Sequence, residues 1–95
     1  MGDIPPVVDN EAASRFELSI GGHVAELVYR RRGDRLLLVH TGVPDELEGR
    51  GVGGMLVNAA IERAVEQGLT VAPLCPFARR WLERHPEVAA KVTIE

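Results

Sequence analysis

The 95-residue sequence predicts one compact α/β (α+β) domain, in which an antiparallel meander of three strands leads into a β-α-β unit with a parallel strand pair and a C-terminal helix. Two features carry most of this expectation. Residues 15–41, "RFELSIGGHVAELVYRRRGDRLLLVHT", run as alternating segments broken at Gly21-Gly22 and Gly33-Asp34, the pattern of strands joined by tight turns. Residues 51–67 then switch to a helical period, with Leu56, Val57, Ala60, Ile61, Ala64 and Val65 on one side and Asn58, Glu62, Arg63, Glu66 and Gln67 on the other.

Residues 1–14 hold two prolines and no sustained period, and read as a flexible or loosely docked arm preceding a single domain at 15–95. Strands follow at about 15–20, 23–31 and 35–41. The third, ending "LLLVHT", is apolar on both faces until His40, as expected of a central strand. Gly68 stops the long helix, "LTVAPLC" reads as a short buried strand at 69–74, and Pro76 opens a helix at 76–85 with Phe77, Trp81 and Leu82 inward. Pro86 ends that helix, and the tail to Glu95 has no clear period. A β-α-β crossover sets its strands parallel, so His40 and Cys75 fall at the same carboxyl end, where ligands of open α/β sheets bind.

Size allows one core and one site. The net charge of -3 comes from mixed charges rather than a block, which argues against nucleic acid as a partner. There is no apolar run of membrane-spanning length, no secretory leader, and Pro6 stands where a myristoylation signal wants a hydroxyl residue, so a soluble, cytoplasmic protein with no membrane partner is expected. Cys75 is the only cysteine, which excludes an intramolecular disulfide and a cysteine-based zinc cluster. The expected assembly is a monomer or weak homodimer, without a metal.

The chemistry concentrates in "LEGRGVGG", residues 47–54. Its G-x-G-x-x-G spacing fails as a dinucleotide fingerprint, because "PDELE" separates it from the strand and residues 69–76 offer no acid for a ribose. As a phosphate loop of the Walker type it lacks the closing lysine and hydroxyl. What remains is a run of backbone N–H groups at a helix N-terminus, able to cradle a pyrophosphate such as that of coenzyme A.

The stretches "HTGVPDELEGRGVGGMLVNAAIERA" and "VAPLCPFARRWLERHPE" resemble the small single-domain members of the GNAT superfamily of N-acetyltransferases, from about Phe16 to Glu87. That resemblance implies a GNAT-like fold, acetyl-CoA as co-substrate, an amine acceptor of unknown identity and acyltransferase activity. It also implies a cofactor site at Thr41, Val43, Gly49, Arg50, Gly51, Val52, Gly53 and Gly54. The chain departs from the family pattern at Glu48, where Gln or Arg is usual, and at Gly42, where a Glu often follows His-Thr. Tyr29, the only tyrosine, matches no catalytic motif.

His40 and Cys75 are the candidate catalytic residues. An imidazole titrates near neutrality and suits deprotonation of an ammonium acceptor, although a strand-end histidine can also be structural. A thiol at a helix start is acidified, and serves as nucleophile or as acid to the departing thiolate, unless it is simple core. The alternatives are a CoA-binding or partner-binding module with little catalysis and, more weakly, nucleic-acid binding through Arg79, Arg80 and Arg84.

Overall fold

The strand at Arg35–Gly42 organises the molecule, because it is the one that pairs antiparallel on one side and parallel on the other. A computed structural model of the chain describes residues 5–95. Its five strands are β1 (Val8–Asn10), β2 (Arg15–Ile20), β3 (His23–Arg32), β4 (Arg35–Gly42) and β5 (Thr70–Pro73), hydrogen-bonded in sequence order. The helices are α1 (Val52–Gln67), α2 (Pro76–Arg84) and α3 (Pro86–Ala89). The predicted strands and helices at 15–85 are present within two residues of their expected ends, and β4 and β5 are parallel as the crossover requires.

The antiparallel part has four strands rather than three, since Val8–Asn10 pairs with Arg15–Glu17 instead of forming an arm. Only residues 1–4 of the expected arm lie outside the described residues. This edge strand is too short to show a period, and polar ties hold it. Tyr29 donates its hydroxyl to Asp9 Oδ1 at 2.7 Å, Arg63 of α1 pairs with Asp9, and Asn10 donates to Glu17 at 3.0 Å. The tail is likewise ordered: after α3, the Val71 N–H donates to the Thr93 carbonyl and the Glu95 N–H to the Val71 carbonyl, each at 2.9 Å. Arg35 clamps the Glu95 carboxylate through both Nε and Nη2 at 2.7 Å.

A single core holds these elements together. Phe16, Leu18, Leu27, Leu36 and Leu38 from one face of the sheet meet Leu56, Ile61, Leu82 and Val88 from the three helices. Each such side chain contributes about 1.5–3 kcal/mol when fully buried.

Burial, then the hydrogen bond and negative charge of Asp9, push the Tyr29 phenol up to about 12 from an ordinary 10.0. The neutral form is therefore favoured by folding. Its stabilisation is present below pH 10 and is lost as pH rises toward 12, on the order of 2 kcal/mol in all. Alkaline unfolding followed by circular dichroism should show this loss, and Tyr29→Phe should be less stable at pH 8 yet flatter between pH 10 and 12. A variant with the same alkaline slope as the parent would remove Tyr29 from that role.

Two irregularities in β4 prepare the site. Val28 pairs with His40 but Tyr29 pairs with Leu38, which leaves Val39 unopposed as a bulge. Pairing of β4 with β5 ends at Leu38 and Pro73, because proline has no N–H to continue a ladder and the chain turns there. The amides of Leu74 and Cys75 both donate to the Leu38 carbonyl at 2.9 Å, and the rest of β4 runs on beside β3 alone. The parallel strands thus part into a notch.

Candidate functional site

Opposite the notch, the chain leaves β4 through Val43 and Pro44, makes a 3-10 turn at Asp45–Leu47 and enters the glycine loop. Gly49 and Gly51 have φ of +79° and +74°, the left-handed region that side chains rarely adopt. α1 therefore starts at Val52 without a capping side chain and without an acid in its first turn. The residues of its first turn, Val52, Gly53 and Gly54, line a cavity of about 590 Å³, within the size range of small-molecule sites.

Of the predicted cofactor residues, Thr41, Val43, Gly49, Gly51, Val52, Gly53 and Gly54 line this cavity. Arg50 is exposed and does not line it. Glu48 lines the cavity too, and among the described residues that do so it is the one with a charged side chain.

Phe77 and Trp81 depart from the inward placement that their spacing predicts. Phe77 is 37% exposed, Trp81 is half-buried, and both form a wall of the cavity. A Cβ at Gly53 would lie 2.6 Å from Phe77 Cζ, and one at Gly54 would fall on the Trp81 indole, 2.9 Å from Cε2. These two glycines are thus required by the close approach of α2 to the start of α1, whereas Gly49 and Gly51 shape the loop. The signal was present in the sequence as two adjacent glycines against two aromatics one helical turn apart, but it points to a contact only once α1 and α2 are known to touch.

A second cavity of about 690 Å³ shares Gly51, Gly54 and Trp81 with the first. Its far wall carries His85, which stacks on Trp81 with ring centroids 3.9 Å apart. The two spaces form one trough running from Thr41 past the loop and over the indole.

Cys75 sits at the N-cap position of α2, 5% exposed, immediately behind Thr41. Its thiol donates to Thr41 Oγ1 at 3.3 Å. Burial pushes the thiol up, yet the Thr41 hydroxyl and the backbone amides of Ala78, Phe77 and Thr41 outweigh it, leaving Cys75 more acidic than an ordinary cysteine. When the sulfur ionises, the hydroxyl can reverse and donate to it.

His40 is not brought to this cavity. The sequence places it at the end of a buried strand, but it is exposed, and it shares a sheet face with its pairing partner Val28 rather than with the buried Leu27. The bulge at Val39 is the cause: it puts Thr41 on the helix-covered face with Leu38 and turns His40 to the other side. The two candidate catalytic residues therefore flank the notch from opposite faces. Among the described residues no group of three or more His, Cys, Asp or Glu could hold a metal ion, and no helix is long and apolar enough to cross a membrane.

An antiparallel meander feeding one parallel crossover, with a bulged central strand that parts from its neighbour in front of an uncapped helix start, has the architecture of the N-acetyltransferase superfamily. The chain belongs to the GCN5-related N-acetyl-transferase family, whose pattern it matches over residues 15–92. It is similar to a GCN5-like protein of Staphylococcus aureus solved by solution NMR, with a TM-score of 0.73 at 30% identity, covering 100% of this chain and 91% of that one. It is also 35% identical over 63 residues to Protein NATD1 of Homo sapiens, and to that of Mus musculus. Those alignments take in 65% of this chain, and the chain spans little more than half the length of these relatives, 56% and 57%.

Proposed function

We propose that the domain binds acetyl-CoA and transfers its acetyl group to a primary amine. The observation that carries the reading is the uncapped start of α1 beside the β4–β5 notch, with the Thr41–Cys75 pair on its near side. The amides of the first turn, with the positive end of the helix dipole, suit a pyrophosphate without a metal. Exposed backbone of β4 beyond Leu38 offers N–H and C=O groups to the amide-bearing pantetheine arm. The trough past Trp81 has room for the nucleotide end.

When bound, acetyl-CoA supplies an activated acyl group. The acceptor nitrogen forms a bond to the acyl carbon as the carbon–sulfur bond breaks. The ammonium substrate gives up two protons in all. His40 takes one from the outer face and passes it to water. The other leaves the nitrogen for solvent as the carbon–sulfur bond breaks, while the Cys75 thiol protonates the departing sulfur through the Thr41 hydroxyl and regains its proton from solvent, so that one proton is released in all. Direct transfer is preferred to an acyl-cysteine intermediate, because the buried Cys75 thiol does not line the cavity and donates to Thr41, whose hydroxyl does line it and can relay a proton to the departing sulfur without the thiol meeting the acyl carbon. The placement of His40 across the sheet from the cavity favours, as a second reading, a CoA-binding module with negligible turnover.

Thermal unfolding with millimolar CoA, NAD or ATP tests the binding, and release of free CoA thiol from acetyl-CoA in the presence of amines tests the chemistry. CoA at about 100 times its Kd should add about 2.7 kcal/mol and raise Tm by about 10 °C or more in a domain of this size. A shift with ATP or NAD and none with CoA would overturn the proposal. Stabilisation by CoA without thiol release would leave the binding module.

A further inference from the structure

On the face of the sheet turned away from the helices, Glu26 of β3 stands directly opposite Gly42 of β4. Val28 and His40 are the neighbouring pair, one step along the same face. Because residue 42 has no side chain, the position its Cβ would take is bordered by His40 Nε2 at 3.4 Å, Glu26 Cγ at 3.6 Å and Glu26 Oε2 at 3.7 Å. A carboxylate oxygen and an imidazole nitrogen thus converge on one small hollow floored by bare backbone. That backbone is the free end of β4, and its opposite face carries Thr41 beside Cys75.

Glu26 is poised rather than neutralised. Its Oε1 accepts from Arg15 Nη1 at 2.8 Å, while the same guanidinium donates through Nε to Glu17, so one cation serves two carboxylates. Among the described residues Oε2 has no hydrogen-bond partner, and it faces the hollow. The spare charge of the cluster is negative, and it sits where a small cation would meet the imidazole. Along β3, the exposed Val24 and half-buried Val28 flank Glu26 on the same face and offer apolar contact to an alkyl chain.

We propose that Glu26 is the acceptor-binding carboxylate of this domain, and that its Oε2 and the His40 imidazole, meeting over Gly42, seat the primary ammonium of an unbranched alkyl amine. The inference rests on the acetyl-transfer reading for its purpose, but not for its geometry. A charge-assisted hydrogen bond from the ammonium to Oε2 fixes the nitrogen, and His40 lies within reach to take its proton. Alcohols of the same length lack the charge and are rejected by the same carboxylate.

Backbone amide chemical shifts of the intact protein, titrated separately with CoA, spermidine, Nα-acetyl-lysine amide and 1-butanol, test this directly. The two amines distinguish a polyamine from a lysine side chain as the source of the ammonium. At least one of them should move the Glu26, His40 and Gly42 signals, and 1-butanol should not. Glu26→Gln should weaken that response about 10-fold or more, the usual worth of a hydrogen bond to a charged group, and Glu26→Asp should restore part of it. In acetyl transfer, Glu26→Gln should raise the amine KM by a similar factor with kcat nearly unchanged. CoA should move the Gly51–Gly54 signals equally in all three proteins; if it does not, the acetyl-transfer reading falls, while the amine titration still decides the seat. Amines that leave Gly42 unmoved, or that act equally on Glu26→Gln, would overturn the assignment.

Discussion

Replacing His40 by alanine is expected to lower the rate of acetyl transfer about 100-fold or more while leaving the CoA-induced rise in Tm unchanged. The separation of the two effects follows from the bulge. His40 is exposed and shares no wall with the cavity, so its loss removes neither core contacts nor cofactor contacts. Its ring borders the Gly42 hollow beyond the point where β4 and β5 part, the place from which an amine would approach an acyl group lying in the notch. Steady-state kinetics paired with thermal shift decide the matter. A fall in Tm without ligand would make His40 structural, and an unchanged rate would leave proton removal to solvent.

The second large effect is one of sign. In an exposed helix, Gly→Ala stabilises by up to about 1 kcal/mol. At Gly54 the same change should instead destabilise by about 1–3 kcal/mol, because the new methyl group lands on the indole of Trp81, and a fixed neighbour makes overpacking costly. The Trp81→Ala background should reverse the sign, since the clash then has no partner and only the helix preference remains. Urea unfolding followed by circular dichroism measures all the variants, and the single tryptophan reports in its own fluorescence whether the ring has moved in Gly54→Ala. A Gly54→Ala protein more stable than the parent would mean that α2 gives way freely and that the glycine is there only for a ligand.

These contrasts mark what could be read from the chain. Alternation in "RFELSI" and "HVAELVYR" placed Phe16, Leu18, Ala25 and Leu27 on the covered face, and the helical period of 51–67 placed Leu56, Ala60, Ile61 and Ala64 against them, because burial imposes a period on any element long enough to show one. The strand at Val8–Asn10 shows no such period: it is three residues long and is held by Asp9 and Asn10 through polar contacts that are distant in sequence. The site was legible as a loop and as two candidate side chains at one end of the sheet. The roles within it were not. Gly53 and Gly54 line the cavity, but the close approach of Phe77 and Trp81 that also requires glycine there joins residues far apart in sequence, and the face to which His40 points depends on a bulge at Val39 that the alternation rule does not foresee.

That unopposed residue separates two kinds of information in the chain. At most positions near the site, chemical identity matters: a hydroxyl at 41, an imidazole at 40, a missing side chain at 42. At Val39 the number of residues matters more than their nature, since the bulge persists with any side chain that tolerates partial burial, whereas deletion would restore the simple alternation and exchange the sides to which His40 and Thr41 point. One residue's worth of length decides which neighbour in sequence meets which substrate, and a comparison of related chains that counts matches but slips by a single gap there would align the right letters to the wrong side of the sheet.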